Sequence, residues 1–345
     1  MMMTQKKPII GITMGDPAGV GPEIAVKTII MPELEDKCHM VIVGNSKVIQ
    51  KEINKYAGGK NTIVVDDIEK CRFMPENINI FEIDVEGVEK VVYGEISPVA
   101  GTAAFLSIKK VIELALENKI DATVTGPIHK KSINEAGFHF AGQTEIYAHY
   151  THTKSYAMLL ASEKLKVIHV TTHVPLRVAC ETLTEENILD KIHLLNNSLK
   201  DIGIENPRIG VAGLNPHAGD EGLFGDEDSN YIAPAVKKAR TQGIIVDGPV
   251  PADTLFPKAI SGNYDGCVVM YHDQGHIPFK LLGFTWNKND GKMESVSGVN
   301  ITLGLPIIRV SVDHGTAFDI AGKGIASNLA MVEAIEYAIK MTSNK

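Results

Sequence analysis

Several protein classes are set aside by what this 345-residue chain lacks. Its cysteines, Cys38, Cys71, Cys180 and Cys267, show no C-x-x-C spacing, which argues against a disulfide framework or a thiolate metal site and for buried thiols in a reducing compartment. No apolar run approaches the ~20 residues of a membrane span. The opening "MMMTQKKPIIGITMGDP" carries lysines, but Gly15 and Asp16 interrupt its apolar stretch too early for a signal peptide. There is no Lys/Arg block, and the formal net charge is -8, so neither nucleic acid nor an anionic membrane is an expected partner. An anionic ligand would have to meet local cations. Neither an internal repeat nor a Pro/Gly-rich linker is visible. These absences together predict a cytoplasmic, globular protein.

What is present is an alternation of elements, over a length that suggests roughly two domains of ~150 residues. The segments "KPIIGIT", "HMVIVG", "DATVTG", "LKVIHVTT", "RIGVAGL", "CVVMY" and "IIRVSV" read as strands, most of them continuously apolar, as in sheets covered on both faces. Between them "TAAFLSIKKVIELALENK", "ENILDKIHLLNNSLKDIG" and "SNYIAPAVKKARTQG" have helical periodicity. The alternation predicts an α/β protein with largely parallel sheets. The polar, aperiodic stretch 285–298 holds the single tryptophan, Trp286, and reads as a surface loop or lid.

Histidines follow the carboxyl ends of three predicted strands: "VIHVTTH" ends at His173, "IGVAGLNPH" at His217 and "CVVMYH" at His272. Ligands of open α/β sheets bind at that edge, and three imidazoles delivered there could hold a divalent metal with a position left open for chemistry. In "YHDQGHIPFK" the spacing of His272 and His276 would match two ligands on one helical face, but Gly275 and Pro278 argue against a helix. Asp273 and Asp253 are candidates to orient the imidazoles. Arg309, in the apolar context "LPIIRVSVDHG", is costly there unless it meets an anion; Lys280 and the neutral donor Asn300 lie nearby in sequence. "TMGDPAGVGPEI" follows a strand and opens a helix at Pro22, but is neither a Rossmann fingerprint nor a P-loop. "DHGTAFDIAGKGIA" has glycines and small residues that would let backbone approach a flat ligand such as adenine, with Gly315, Thr316, Asp319 and Gly322 as the candidate contacts.

These motifs, with "TTHVPL", "LNPHAGDEGLFGDED", "ADTLF" and "VNITLGLP", run collinearly over nearly the whole chain and resemble the PdxA family of 4-hydroxythreonine-4-phosphate dehydrogenases and their relatives acting on 4-phospho-D-threonate and 4-phospho-D-erythronate. The resemblance implies two α/β/α subdomains with mixed, largely parallel sheets, as in isocitrate and isopropylmalate dehydrogenases. The boundaries expected are residues 1–130 plus 305–345, and 131–304. It also implies a divalent metal (Zn2+, Mn2+, Co2+ or Mg2+) on His173, His217 and His272, shared across a homodimer interface, and substrate contacts at Gln143, Thr144, Lys280, Asn300 and Arg309. Most members read G-H-T-E where this chain reads "GQTE", so Gln143 stands in place of a histidine, and the 285–298 stretch looks inserted.

The implied reaction is NAD-dependent oxidation of a secondary alcohol β to a carboxylate, followed by loss of CO2. No residue presents itself as the proton-abstracting base. The motifs around His173 and His272 look closer to the phosphothreonate branch than to the enzymes of pyridoxal phosphate synthesis. A metal-dependent aldolase or hydrolase using the same histidines would leave "DHGTAFDIAGKG" without a role. A catalytically silent binding protein would be expected to have lost the metal ligands or cations that this chain retains.

Overall fold

The computed structural model describes residues 6–286, 293–296 and 298–343, and the chain divides into two compact units. The first comprises Met1–Lys154 and Leu305–Ser343, the second chiefly Ser155–Gly304.

In the first unit the strands lie in the order Asn61–Val65, Asn77–Glu82, His39–Gly44, Ile9–Thr13, Ala122–Thr125 and Arg309–Val312, with parallel neighbours throughout. Their register sets Ile12 between Ile42 and Val124. All three are fully buried, as expected of a parallel sheet with both faces covered. The long helix Pro98–Leu116 starts where the Ser97 hydroxyl accepts the Ala100 N–H. It packs Phe105, Ile108 and Ile112 into a core that also takes in Phe81, Ile133 and Tyr147. Residues 131–154 belong to this unit: Phe138 stacks on Phe105 with centroids 3.8 Å apart, and Tyr147 is fully buried.

The second unit orders its strands Val299–Leu303, Ala157–Ala161, Lys166–His169, Gly266–Val269, Arg208–Ala212 and Ile245–Val250. The first two pairings are antiparallel and the rest parallel, so the fold class expected from the sequence is the one found. Leu160, Val167, Leu255, Cys267, Val269 and Phe279 form its core. Cys38 and Cys267 are buried, Cys71 and Cys180 half-buried, and all four are free thiols.

One expectation is overturned. Residues His272–Gly283 form a helix in spite of Gly275 and Pro278. Tertiary contacts supply what the sequence withholds: the Gln274 side chain accepts from Met270 N–H at 2.7 Å and donates to the Gly213 carbonyl at 2.8 Å, anchoring the first turn. Gly275 lets the helix lie close on the Lys166–His169 strand, since a Cβ there would sit 2.5 Å from His169 Nε2 and 2.7 Å from Val167 Cγ1. Part of the 285–298 stretch, residues 287–292 and 297, lies outside the described residues; its flanks pair as the antiparallel strands Phe284–Trp286 and Met293–Val296.

Candidate active site

In the first unit Arg309 opens its strand with only 3% of its surface exposed. Burial lowers its pKa to about 10, which leaves the guanidinium charged at neutral pH. Its partners include neutral oxygens: Nη2 donates to Thr125 Oγ1 and to Gln143 Oε1, each at 3.2 Å, and Nη1 donates to Thr144 Oγ1 at 3.4 Å. The Tyr147 ring lies 5.4 Å from the guanidinium carbon, and its hydroxyl donates to Thr123 Oγ1 at 2.9 Å. Gln143 and Thr144 open the helix Gln143–Tyr150, whose first-turn N–H groups add positive potential at the same place. The sequence thus brings Gln143, Thr144 and Arg309 together, whereas the supporting Thr125 and Tyr147 were missed. Only their apolar, β-branched surroundings could have hinted at them.

The second unit carries the histidines. His173 and His272 have ring centroids 5.7 Å apart and line a surface pocket with Thr172, Val174, Tyr271 and Asp273. The Asp273 carboxylate accepts the His272 Nδ1–H at 2.7 Å, which turns Nε2 outward. His276 stacks on His272 with centroids 3.7 Å apart and planes 9° from parallel. His276 Nδ1 donates to the His272 carbonyl at 3.1 Å and faces His169 Nε2 at 3.2 Å. Burial, reinforced by the neighbouring imidazoles, lowers the pKa of His169 to about 3 and of His276 to about 4, so both are neutral at physiological pH. The pair forms an uncharged backing for His272. Sequence reasoning noted the i, i+4 spacing of His272 and His276 but set it aside with the helix, and it left His169 to ordinary packing.

His217 stands elsewhere in the second unit, with Phe224 6.2 Å from its ring. It begins a run of left-handed backbone: φ is +54° at His217, +55° at Ala218, +85° at Gly219, +43° at Asp220 and +55° at Glu221. Such conformations are costly for residues with a Cβ. The buried Asp228 carboxylate holds the approach to this turn, accepting Leu214 N–H at 2.9 Å and Asn215 N–H at 3.0 Å. Among the described residues no group of three or more histidine, cysteine, aspartate or glutamate side chains is placed to hold a metal ion within one chain. The outward Nε2 of His272, oriented by a carboxylate on Nδ1, fits a divalent metal all the same, because this is how metal-bound imidazoles are usually held. Asp253 is exposed on the helix Ala252–Ile260.

Lys280 follows His272 and His276 at the same four-residue spacing, on one face of their helix. Asn300, on the Val299–Leu303 strand, turns its amide toward the Met158 sulfur. In the first unit Thr316 is buried and its carbonyl accepts Val20 N–H at 3.0 Å, so the "GDPAGVGPE" and "DHGTAF" segments pack together. Gly19 permits this, because a Cβ there would lie 2.7 Å from the Thr316 oxygen. Gly322, at φ +75°, lies against the Tyr93 ring, while Gly315 and Asp319 are exposed.

A family model described as "Pyridoxal phosphate biosynthetic protein PdxA" matches residues 36–338. The chain belongs to the PdxA family. Within the family it is 46% identical over 344 residues, 99% of both chains, to an Oceanobacillus iheyensis protein named as a candidate D-threonate 4-phosphate dehydrogenase. It is 44% identical over 337 residues, 97% of this chain and 96% of the relative, to a Bradyrhizobium diazoefficiens protein of the same name. The crystal structure of 4-hydroxythreonine-4-phosphate dehydrogenase from Klebsiella pneumoniae superimposes with a TM-score of 0.85 at 42% identity, covering 99% of each chain. Among the described residues no helix is long and apolar enough to cross a membrane.

Proposed function

We propose that this PdxA-family enzyme is a dehydrogenase that oxidises the C3 alcohol of a four-carbon phosphorylated hydroxy acid, D-threonate 4-phosphate or its erythronate counterpart, with NAD. The resulting β-keto acid would lose CO2 and leave dihydroxyacetone phosphate. The observation that carries this reading is Arg309: a charged guanidinium, 3% exposed, that donates to Thr125 and, beside the start of a helix, to Gln143 and Thr144. A planar donor fork in such a setting suits a phosphate or carboxylate. The full-length relatives named for D-threonate 4-phosphate favour the hydroxy acid over the amino acid 4-hydroxythreonine 4-phosphate.

In this reading Arg309, Thr144, Lys280 and Asn300 bind and orient the anionic substrate, which restricts the reacting alcohol to a productive geometry. Asp273 and His276 fix the ring of His272, which with His173 and His217 would hold the divalent cation. When bound, the cation supplies Lewis-acid chemistry, easing loss of the hydroxyl proton and stabilising the negative charge left after decarboxylation. NAD supplies the hydride acceptor; the glycine-rich 313–326 segment, with Gly315, Thr316, Asp319 and Gly322, is where it would lie.

A homodimer is part of this reading. Among the described residues the second unit's histidines form no three-ligand group in one chain, and apolar side chains stand exposed near them in sequence: Leu176 at 59%, Leu223 at 72%, Ile277 at 56% and Leu281 at 77%. A second copy burying that surface could complete the ligand set. The four free thiols fit a cytoplasmic setting.

The test is growth of NADH absorbance with metal-loaded enzyme and D-threonate 4-phosphate, D-erythronate 4-phosphate or 4-hydroxythreonine 4-phosphate. Preference for a hydroxy acid is expected. Preference for the amino acid would move the assignment to the other branch, and inactivity on all three would remove it.

A further inference from the structure

The residue that departs from the family's usual motif is also bonded to the buried cation. Gln143 spends both ends of its amide inside the first unit: Nε2 donates to the Gly126 carbonyl at 2.9 Å, and Oε1 accepts from Arg309 Nη2 at 3.2 Å. Gly126 directly follows the Ala122–Thr125 strand, which pairs with the Arg309–Val312 strand in the register Arg309↔Thr123. The amide therefore braces the guanidinium against the strand next to its own. Its position at the head of the helix Gln143–Tyr150 is secured by the buried Ile146 and Tyr147 in the following turn.

We infer that Gln143 is a positioning residue, acting on the anionic substrate through Arg309 rather than by direct contact. The deduction rests on the reading of Arg309 as a substrate-binding cation. Its physical basis is geometric. An arginine fork recognises a tetrahedral or planar anion only when its plane is fixed, and a brace on Nη2 removes a rotation that the hydroxyls of Thr125 and Thr144, each free to turn, restrict less. Glutamine presents its oxygen at every pH, whereas a protonated histidine at this position would lose its acceptor and place a second positive charge against Arg309.

A double-mutant cycle distinguishes this role from direct contact. With metal-loaded enzyme, KM for D-threonate 4-phosphate and its affinity by calorimetry in the absence of NAD would be measured for wild type, Gln143→Met, Arg309→Met and the double variant. Melting temperatures would confirm that each is folded. Gln143→Met is expected to raise KM for the acid phosphate about tenfold, in line with the loss of a hydrogen bond to a charged group, and to leave KM for NAD unchanged. In the Arg309→Met background the same change should have less than about a twofold effect, because nothing remains to be positioned. Gln143→Glu, which pairs a carboxylate with the guanidinium, should weaken binding at least as much as Gln143→Met. Effects that multiply in the double variant would overturn the inference and make Gln143 a direct contact. An unchanged KM for Gln143→Met would overturn it as well. If Arg309→Met alone leaves KM unchanged, the reading of Arg309 and the inference fall together.

Discussion

The surroundings of Arg309 and the surroundings of His272 solve opposite problems. Arg309 is a cation sunk to 3% exposure, and Thr125, Gln143 and Thr144 of the same compact unit are among its partners. His272 sits half-exposed on a helix whose outer face bears Ile277 and Leu281, backed by two uncharged imidazoles and aimed outward by Asp273. The first arrangement is finished within one chain. In the proposed reading the second would orient His272 toward a metal. The contrast teaches that burial of a charge and exposure of a ligand are both marks of function, for different reasons. A buried cation has lost its water and gains by meeting an anion. An exposed, pre-oriented imidazole has paid the ordering entropy in advance and gains by meeting a metal.

The comparison can be broken at several points. The largest effect is expected from His272→Ala, which should abolish stoichiometric binding of Zn2+ and lower kcat by more than about a hundredfold. Metal analysis of the purified variant checks this, and full metal content would remove His272 from the ligand set. Arg309→Met should lose about 1.5–3 kcal/mol of substrate affinity while NAD affinity holds, as read by calorimetry with each ligand. Equal losses would make Arg309 a folding or cofactor residue. Asp273→Asn should weaken metal binding about 10–100-fold without unfolding the protein, measured by competition with a chelator.

A smaller effect separates the two regions by assembly. Leu281→Asp places a charge on the exposed apolar face and should shift sedimentation from dimer to monomer, reducing metal affinity while leaving the Arg309 surroundings intact. A monomeric wild type with full activity would end the argument for a second copy. Least disruptive is Gly275→Ala, whose methyl would press on His169 and Val167 and should lower stability by about 1–3 kcal/mol in thermal unfolding.

Legibility in the sequence followed burial only in part, since the largely buried strands Asn77–Glu82, Ala157–Ala161 and Val299–Leu303 were missed as well. Strands such as His39–Gly44 and Gly266–Val269 are covered on both faces and announce themselves as continuous apolar runs. Asn61–Val65 escaped notice because it lies at the sheet edge with much of its surface exposed, and Ile245–Val250 because Pro249 interrupts it, as edge strands permit. The helix His272–Gly283 was misread for a comparable reason. Proline and glycine are local signals, and the contacts that override them, from Gln274 to Gly213 and from Gly275 to Val167, cross long stretches of sequence. The same holds for the candidate site. Arg309 was conspicuous as a charge in an apolar strand, but its braces Thr125 and Gln143 are 184 and 166 residues away. The grouping of His169, His272 and His276 could not be recognised once the helix had been dismissed.

The left-handed turn at 217–221 sets a limit on how this protein can be improved. Four of its residues carry a Cβ where glycine would be at ease, and each such residue costs of order 1 kcal/mol. Directed evolution for heat resistance would find an easy gain in Ala218→Gly or Asp220→Gly. That gain would loosen the segment that presents His217, so thermal tolerance and metal retention should trade against each other at these positions. A lineage kept under selection for turnover would leave the strained residues in place.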